Sequence, residues 1–158
     1  MKISKTNAMR ILDRAKIKYE MREYDSSDGH IDGLAVANKV GKDPKEVFKT
    51  LVTVGHSKNY YVFVIPVAQE LDMKKAAKSV GEKNIEMIHV KDINKITGYI
   101  RGGCSPVGMK KNFKTRIHES AKELSTITVS GGKIGLQMDI APLDFEKVID
   151  VEFADIIK

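Results

Sequence analysis

One loop-forming stretch, residues 97–111, most constrains how this chain can fold. It reads Thr-Gly-Tyr-Ile-Arg-Gly-Gly-Cys-Ser-Pro-Val-Gly-Met-Lys-Lys and contains the only cysteine. Because glycine has no Cβ, the main chain can approach a ligand closely there, while Pro106 fixes the turn. We therefore expect Gly102 and Gly103 to point main-chain N–H groups at an oxygen, which suits an anion or a developing oxyanion. The alternative is an ordinary hairpin or barrel-corner turn, since glycine turns occur in all folds.

The length and composition fit one globular domain. The chain has 158 residues, 42% hydrophobic and 30% charged, without a repeat or a linker, so we expect a single domain over residues 1–158. No apolar run approaches the roughly 18 residues that span a bilayer. No apolar signal core follows the N-terminus. These features predict a cytoplasmic protein with no membrane partner.

The charge balance favours an anionic partner. The chain has 27 Lys and Arg against 21 Asp and Glu, a net charge of +6 that is consistent with RNA binding. One cysteine cannot form an internal disulfide, and four scattered histidines show no metal-ligand spacing. We therefore expect no metal and no cofactor.

Hydrophobic periodicity predicts more strands than helices. Helical spacing and capping residues predict helices over 4–16, 34–40, 73–80 and 142–149. Ser4 or Thr6 is the expected N-cap of the first helix, and Asp72 that of the third. Alternating and β-branched segments predict strands over 18–24, 47–54, 60–67, 85–90, 115–118, 126–130 and 134–140. Because short turns join several neighbours, we expect an α+β fold whose mixed sheet forms a partly closed β-barrel flanked by helices.

The lone cysteine suggests a nucleophile. Cys104 lies in the glycine-rich loop near Arg101, Lys110 and Lys111, and such surroundings favour a thiolate. A thiol enzyme also needs a base held nearby, and no histidine can be placed there from the sequence. We therefore favour the interpretation of Cys104 as a small buried or half-buried apolar residue.

Four polar residues each have an ordinary explanation. Lys49 interrupts an apolar strand and either extends to solvent or faces a pocket. Thr50 is a common strand residue, and Ser130 opens a Ser-Gly-Gly-Lys turn, where its hydroxyl is also able to meet a substrate. Asp139 interrupts Leu-Gln-Met-Asp-Ile where strand alternation places it on the solvent face.

Four blocks of sequence, in this order, carry a resemblance to a known family. They are Val47-Phe48-Lys49-Thr50-Leu51, Val67-Ala68-Gln69-Glu70-Leu71-Asp72 with Lys74-Lys75-Ala76-Ala77-Lys78, Thr97-Gly98-Tyr99-Ile100-Arg101-Gly102-Gly103-Cys104-Ser105-Pro106 and Val129-Ser130-Gly131-Gly132-Lys133. Together they resemble the YbaK/EbsC family of aminoacyl-tRNA deacylases, which is related to the editing domain of bacterial prolyl-tRNA synthetases. The match runs from the first helix to Ala154-Asp155-Ile156. The resemblance implies a mixed β-barrel and a trans-editing hydrolase that clears cysteine mischarged onto proline tRNA.

The resemblance also assigns roles to residues. Lys49 becomes a pocket residue near the tRNA 3′ end, and Gly102 lies beside the aminoacyl ester in a Gly-x-x-x-Pro loop that ends at Pro106. The catalytic set implied in this way is Lys49, Gly102 and Gly103. The substrate-binding set is Tyr24, Ile31, Thr50, Pro106, Ser130 and Asp139.

The implied mechanism needs no protein nucleophile. In this family the thiol of the substrate attacks its own ester carbonyl, which gives a cyclic thiolactone and free tRNA. The protein then has only to fold the substrate into a reactive shape and stabilise the oxyanion. The missing catalytic base is explained by this arrangement.

Two departures from the family pattern leave the accepted amino acid open. Ile31 stands where many members have an aromatic pocket wall, and Ile134 where a basic residue is common. Cysteine is the expected substrate, with alanine or another small residue as the alternative. Two other functions also stay open, a non-catalytic tRNA- or synthetase-binding module and a Cys104-dependent thiol enzyme.

The expected partner is charged proline tRNA. The resemblance adds prolyl-tRNA synthetase as a second partner in some members. Lys74, Lys75 and Lys78 form a basic helix that we regard as the candidate tRNA surface, although lysine pairs are more often simply solvated.

Overall fold

Eight strands form two sheets in the computed structural model, which describes residues 5–158. The strands are β1 (Tyr19–Glu23), β2 (Phe48–Gly55), β3 (Tyr60–Pro66), β4 (Ile85–Met87), β5 (Lys114–His118), β6 (Ile127–Ser130), β7 (Leu136–Ile140) and β8 (Val151–Ala154). The α-helices are α1 (Asn7–Arg14), α2 (Gly33–Lys39), α3 (Met73–Ser79) and α4 (Ile93–Thr97). Short 3-10 helices cover Val90–Asp92, Glu119–Glu123 and Pro142–Lys147.

The larger sheet is mixed and the smaller one is antiparallel. The larger sheet has the order β4-β2-β3-β5-β8, in which β2 pairs antiparallel with β3 and with β4, while β5 pairs parallel with β3 and with β8. The smaller sheet has the order β1-β7-β6. A single parallel bridge between Val47 and Thr128 links the two sheets. The α+β class and the mixed sheet are confirmed, but both sheets are open, so they form no closed barrel.

Two apolar clusters lie on opposite faces of the larger sheet. The main cluster fills the space between the two sheets and α1, with Leu12, Val64, Ile117 and Met138 fully buried. The second cluster lies beneath α3. Because β3 is covered on both faces, its residues read as a continuous apolar run rather than an alternating one.

The helix caps show why the helices begin where they do. The Asp72 side chain accepts hydrogen bonds from the N–H groups of Lys74 and Lys75, and Thr6 accepts one from Met9, so both expected N-caps are confirmed. Ser4, the other candidate for the first helix, lies outside the described residues. No helix within residues 5–158 is long and apolar enough to cross a membrane.

The predicted final helix is wrong in type and length. Residues 142–149 were expected to form an amphipathic α-helix, but a 3-10 helix covers only Pro142–Lys147. The chain must reach β8, whose Val151 pairs with Thr115. The chain winds in the tighter 3-10 form from Pro142 and leaves it at Val148, ahead of β8.

Candidate active site

Hydrogen bonds fix the glycine-rich loop along its length. The Tyr99 N–H donates to Thr97 Oγ1 (3.0 Å), and the Tyr99 hydroxyl donates to the Val107 carbonyl (2.6 Å). Burial raises the pKa of Tyr99 to about 12, so the hydroxyl keeps the proton that it donates. Asn7 of α1 donates to the Gly108 carbonyl at 2.8 Å. The loop therefore holds Gly102 and Cys104 at fixed positions.

A second glycine turn, residues 131–135, packs against this loop. The Thr6 hydroxyl donates to the Gly131 carbonyl (2.6 Å), which ties the turn to the start of α1. A Cβ built on Gly103 would lie 2.8 Å from Lys133 Cα and 2.9 Å from Ile134 N. Only glycine allows the two loops to approach so closely.

The expected amide role of Gly103 is not supported by this geometry. Its N–H donates to the Ile100 carbonyl at 2.9 Å and is therefore already used within the loop. The Gly102 N–H, in contrast, has no hydrogen-bond partner among the described residues. Of the two glycines expected to supply amides, Gly102 is thus the one whose N–H is not already used within the loop.

A small cavity opens beside Gly102. Its volume is about 130 Å³, somewhat less than the ~150 Å³ of a cavity that holds one benzene molecule. It is lined by Tyr24, Ile31, Gly33, Val36, Val47, Phe48, Lys49, Thr50, Val67, Gly102, Cys104, Ser130 and Gln137. We call it the inner cavity, and its size suits a small amino-acid side chain.

The inner cavity contains polar groups without protein partners. The Tyr24 hydroxyl and Thr50 Oγ1 are buried, and neither forms a hydrogen bond within the described residues. Lys49 forms no ion pair there. Ser130 Oγ accepts from the Gly132 N–H (3.1 Å), which leaves the hydroxyl proton free to be donated. Because an unpaired buried hydroxyl costs about 1–3 kcal/mol, these groups are suited to receive a polar ligand.

Six of the residues predicted for the site meet at this cavity. They are Tyr24, Ile31, Lys49, Thr50, Gly102 and Ser130. Their roles stay predictions, because position alone does not establish them.

Pro106 and Asp139 lie elsewhere. Pro106 is buried and lines a separate depression with Ile11 and Phe113 rather than the inner cavity. Asp139 lines another depression with Arg22 and Lys42. The structure therefore does not support a direct contact of either residue with a ligand in the inner cavity.

Asp139 also contradicts the solvent-face prediction, since only 4% of it is exposed. Its carboxylate accepts from Arg22 Nε (2.7 Å) and from the Thr128 hydroxyl (2.6 Å), and Lys42 Nζ lies 3.7 Å away. The prediction failed because β7 is the central strand of its sheet and is buried along its whole length. A buried carboxylate is tolerated there because it is paired.

Cys104 is half-buried, as the sequence interpretation expected. Burial raises the pKa of its thiol to about 11, against an ordinary value of 9.0. Lys110, expected to favour a thiolate, instead directs its amine to the Lys95 carbonyl at 3.1 Å. The thiol is therefore protonated at neutral pH, which makes it a poor nucleophile.

A family model for the aminoacyl-tRNA editing domain matches residues 33–148, the segment that carries most of the inner cavity. The chain belongs to this editing-domain family. The family resemblance seen in the sequence is thereby confirmed, and with it the enzyme class, an aminoacyl-tRNA deacylase.

Relatives and solved structures agree with this membership. EbsC of Enterococcus faecalis, provisionally named a Cys-tRNA(Pro)/Cys-tRNA(Cys) deacylase, is 47% identical over 152 residues, covering 96% of this chain and 93% of EbsC. A solved structure provisionally described as a trans-editing enzyme for prolyl-tRNA synthetase has a TM-score of 0.83 at 21% identity, covering 96% of this chain and 95% of that one. Another solved structure, described as a hypothetical protein, has a TM-score of 0.86 at 17% identity. The match covers 97% of this chain and 100% of that one. At these identities the two structures show the shared fold.

Two residues at or beside the inner cavity were missed or undervalued in the sequence. Gln137 is 6% exposed and lines the cavity, opposite Ser130 in the β6–β7 register. Its signal was a second polar side chain, on the same face as Asp139, in a strand whose other residues are apolar. Ile134, noted only as a departure from the family, flanks Gly102 together with Ile31. A Cβ built on Gly102 would lie 2.8 Å from Ile31 Cδ1 and 3.3 Å from Ile134 Cγ1.

The metal and tRNA-surface predictions are not settled by the structure. Among residues 5–158 no three His, Cys, Asp or Glu side chains cluster in a way that could hold a metal ion. The absence of a metal nevertheless stays a prediction. On the basic helix α3, Lys74, Lys75 and Lys78 are all exposed, and Lys75 also pairs with Asp155 (3.0 Å). Their role in binding tRNA stays a prediction.

Proposed function

We propose that this protein edits proline tRNA in trans by removing mischarged cysteine through the substrate's own thiol. One observation carries the proposal, the composition of the inner cavity. The inner cavity combines a lysine, two hydroxyls and a glycine amide that have no partner among residues 5–158. None of the four histidines lines it, so no His–Cys pair is assembled around Cys104. These groups suit binding and charge stabilisation rather than nucleophilic attack by the protein.

The proposed reaction balances without a co-reactant. The cysteinyl sulfur attacks the ester carbonyl, a carbon–sulfur bond forms, and the bond between the carbonyl carbon and the ribose oxygen breaks. The thiol proton passes to the leaving ribose oxygen, so the products are a cyclic thiolactone and free tRNA. Water then opens the thiolactone to cysteine.

Each polar group of the cavity has a role in this proposal. The Gly102 N–H donates to the carbonyl oxygen as it gains negative charge. Lys49 supplies a positive charge close to that oxygen and to the tRNA 3′ end. The Tyr24 and Thr50 hydroxyls bind the polar atoms of the aminoacyl group and so fold it into a reactive shape. The protonated Cys104 thiol packs against the substrate as an apolar wall.

Single-turnover deacylation tests the proposal directly. Cysteine- and alanine-charged proline tRNA are incubated with wild type, Lys49→Ala and Cys104→Ala, and the products are identified by mass. We expect thiolactone or cysteine from wild type and Cys104→Ala, in EDTA as well as without it, and little from Lys49→Ala. Lys83→Ala, which removes an exposed lysine, is the matched control and keeps activity.

Two outcomes would replace the proposal. If wild type binds charged tRNA but leaves the ester intact, the protein is a non-catalytic binding module. If Cys104→Ala alone is inactive, it is a thiol enzyme.

Alanine is the second candidate substrate, favoured by the apolar pair at Gly102. Ile31 and Ile134 narrow the cavity without offering a polar group to the substrate thiol. Faster release of alanine than of cysteine would identify this alternative, and would also require an attacking water instead of a substrate thiol.

The proposed partnership with prolyl-tRNA synthetase is a separate question. In such a complex the synthetase would select the tRNA, because a small cavity that holds only the amino acid cannot distinguish one tRNA from another. Co-sedimentation of the two proteins with and without charged tRNA tests it, and independent sedimentation in both cases would contradict it.

A further inference from the structure

Two walls of the inner cavity belong to one irregular segment of the chain. Tyr24 and Ile31 both line the cavity, and the residues between them form neither helix nor strand. We call residues 25–31 the wall loop. Its first six residues, Asp-Ser-Ser-Asp-Gly-His, include no apolar side chain that could anchor the loop in a core. The loop that ends in a cavity wall must therefore be held by polar contacts.

One lysine supplies these contacts. The Lys39 ammonium donates hydrogen bonds to the Asp25 carbonyl (2.7 Å), to Asp28 Oδ1 (2.7 Å) and to the His30 carbonyl (3.0 Å). An ammonium has three donors, so all three are used on the wall loop. Among residues 5–158, no other hydrogen bond joins the wall loop to the rest of the protein. Lys39 Nζ also lies 6.0 Å from the centre of the Tyr24 ring, at about the limit of a cation–π contact.

Lys39 belongs to a helix that is fixed to the core. Ala37 of α2 packs in a buried apolar cluster with Val47 and Val67. At the start of α2, Gly33 lies so close to Val67 that a Cβ built on it would be 2.4 Å from Val67 Cγ1. Lys39 lies in the last turn of α2, and 21% of its side chain is exposed. The helix therefore gives Lys39 a fixed base from which it holds a loop that has no apolar anchor.

We propose that Lys39 is a positioning residue of the editing reaction, which holds Ile31 and Tyr24 in place as walls of the inner cavity. Lys39 does not line that cavity, so it acts through the wall loop and not on the substrate. Ile31 Cδ1 lies 2.8 Å from the place that a Cβ of Gly102 would take, so a shift of the loop changes the space beside the Gly102 amide. This inference rests on the proposed function, because the position of a wall affects the reaction only if an acyl group fits against it.

Kinetics of two lysine variants give the first test. Lys39→Met removes the ammonium and keeps an unbranched side chain. We expect it to lower the single-turnover rate on cysteine-charged proline tRNA by about tenfold, because a displaced wall no longer folds the acyl group into its reactive shape. Lys147→Met is the matched control, since Lys147 also pairs with an aspartate, Asp144, at 2.9 Å but does not line the cavity. Lys147→Met should match wild type.

The Ile31 methyl group reports the position of the wall without turnover. In protein with ¹³C-labelled isoleucine Cδ1 methyl groups, the Ile31 signal is identified by its loss in Ile31→Val. We expect this signal to shift in Lys39→Met and to stay in place in Lys147→Met. The signals of the fully buried Ile117 and Ile140 should stay in place in both variants, which shows that the core is intact.

Asp28→Asn tests whether Lys39 acts through the wall loop. The Lys39 hydrogen bond lowers the pKa of Asp28, so this carboxylate is charged at neutral pH. Asp28→Asn removes the charge but keeps an oxygen acceptor, and the two carbonyl acceptors remain, so we expect a smaller loss of rate than in Lys39→Met. In the Lys39→Met background the same change should have no further effect, because both substitutions act on one contact. An equal loss in both backgrounds would mean that Asp28 acts independently of Lys39 and would overturn the inference.

These tests separate failure of this inference from failure of the proposed function. If wild type deacylates and Lys39→Met matches it in rate, the positioning role is wrong and the deacylase stands. If Lys39→Met is slow but its Ile31 signal does not move, or the Ile117 and Ile140 signals move as well, the lysine acts in another way and the inference is wrong. If the Ile31 signal moves as expected but wild type releases no amino acid from any charged tRNA, Lys39 still positions the wall and the proposed function fails.

Discussion

At the scale of single residues, Gly102 determines the geometry of the site. Its φ of +87° lies in the left-handed region that favours glycine, and its missing Cβ leaves room for Ile31 and Ile134. The two positions that depart from the family pattern thus meet at one glycine. Their apolar side chains lie on either side of the space that a Cβ on Gly102 would fill, so changes at either residue act on the same space.

Gly102→Ala is expected to separate backbone strain from loss of the site. Gly41 also has a positive φ, +69°, but a Cβ there meets nothing within 4 Å, so Gly41→Ala is the matched control. Each variant should lose about 1–2 kcal/mol of unfolding free energy through left-handed strain. Only Gly102→Ala should also lose deacylation, by roughly 10- to 100-fold, because its methyl group displaces Ile31 and the substrate. Chemical denaturation and single-turnover assays measure the two effects, and an equal loss of activity in Gly41→Ala would contradict the prediction.

Cys104 is expected to react slowly with thiol reagents. Its pKa of about 11, against an ordinary 9.0, is a difference of two units, so the thiolate fraction near pH 8 should be about 100-fold lower than for a free thiol. Since the chain has one cysteine, the rate of iodoacetamide labelling followed by mass reports this residue alone. The labelling rate should keep rising above pH 9. Labelling of Cys104 at the rate of free cysteine would contradict the prediction of a slow reaction.

The deacylation rate should follow the titration of the substrate thiol and not that of Cys104. In the proposed mechanism the substrate thiol is the nucleophile, so the rate should rise with pH as that thiol loses its proton. Cys104→Ser should keep this pH profile. A profile that moves with the Cys104 substitution would favour the thiol-enzyme alternative.

At the scale of elements, the sequence predicted the positions of strands and helix caps better than it predicted which strands pair. Alternation and β-branched residues located the β2–β3 hairpin, and Asp72 located the start of α3, because these features depend on neighbouring residues. The parallel pairing of β8 with β5 depends on residues distant in sequence. No local pattern indicates such a contact, so the sequence did not predict β8 as a strand of the larger sheet.

The residues of the candidate site also fall into those that local sequence predicted and those that it did not. Lys49, Gly102 and Ser130 belong to short motifs, and the structure brings them to one cavity as expected. Asp139 was misjudged because alternation assumes that one strand face meets water, whereas both faces of β7 are covered. Gln137 was missed for the same reason, since it lies two residues from Asp139 on the same face of the strand. Sequence alone does not show which strand is central.

Asp139→Asn is expected to weaken the smaller sheet. The carboxylate joins all three strands, since Arg22 lies in β1 and Thr128 in β6, and its loss leaves Arg22 without its close partner. We expect a loss of about 2–3 kcal/mol in the free energy of unfolding, measured with urea.

Glu20→Gln is the matched control for that prediction. Glu20 contacts the same Arg22 at 3.8 Å, but its side chain is 80% exposed. An exposed pair of this kind contributes at most about 1 kcal/mol. Equal losses of unfolding free energy in the two variants would mean that the buried Asp139 pair contributes no more to stability than the exposed Glu20 pair.

At the scale of the whole molecule, the site lies where the two sheets meet. Lys49 and Thr50 come from the larger sheet, while Ser130 and Gln137 come from the smaller one. Val47, which forms the bridge between the sheets, also lines the inner cavity. The shape of the inner cavity therefore depends on how the two sheets pack. A substitution far from the cavity that shifts one sheet relative to the other would change its shape.

His118 links the stability of the whole fold to pH. It lies at the end of β5, 7% exposed, and its Nδ1 accepts a hydrogen bond from the Ile156 N–H (3.4 Å). Burial lowers the pKa of His118 below its ordinary 6.5, and this effect exceeds the opposing effects of Asp155 and Glu119. The neutral ring is therefore the form that the folded state prefers. Protonation of Nδ1 would remove the acceptor for Ile156.

The sign of the pH dependence follows from that preference. The unfolded chain binds the histidine proton first, so stability is fully present above pH 6.5 and is lost as the pH falls through the lower folded pKa. We expect Tm to fall between about pH 7.5 and pH 5.5 in wild type and to fall less in His118→Gln. The slope is the diagnostic quantity, because the substitution itself can lower Tm at every pH. His56→Gln, at an exposed histidine, should keep the wild-type slope. Asp155 cannot produce the same effect, because its pKa is lowered from 3.8 by the Lys75 hydrogen bond and it titrates below this range. Parallel Tm curves for wild type and His118→Gln would show that another group controls the acid stability of the fold.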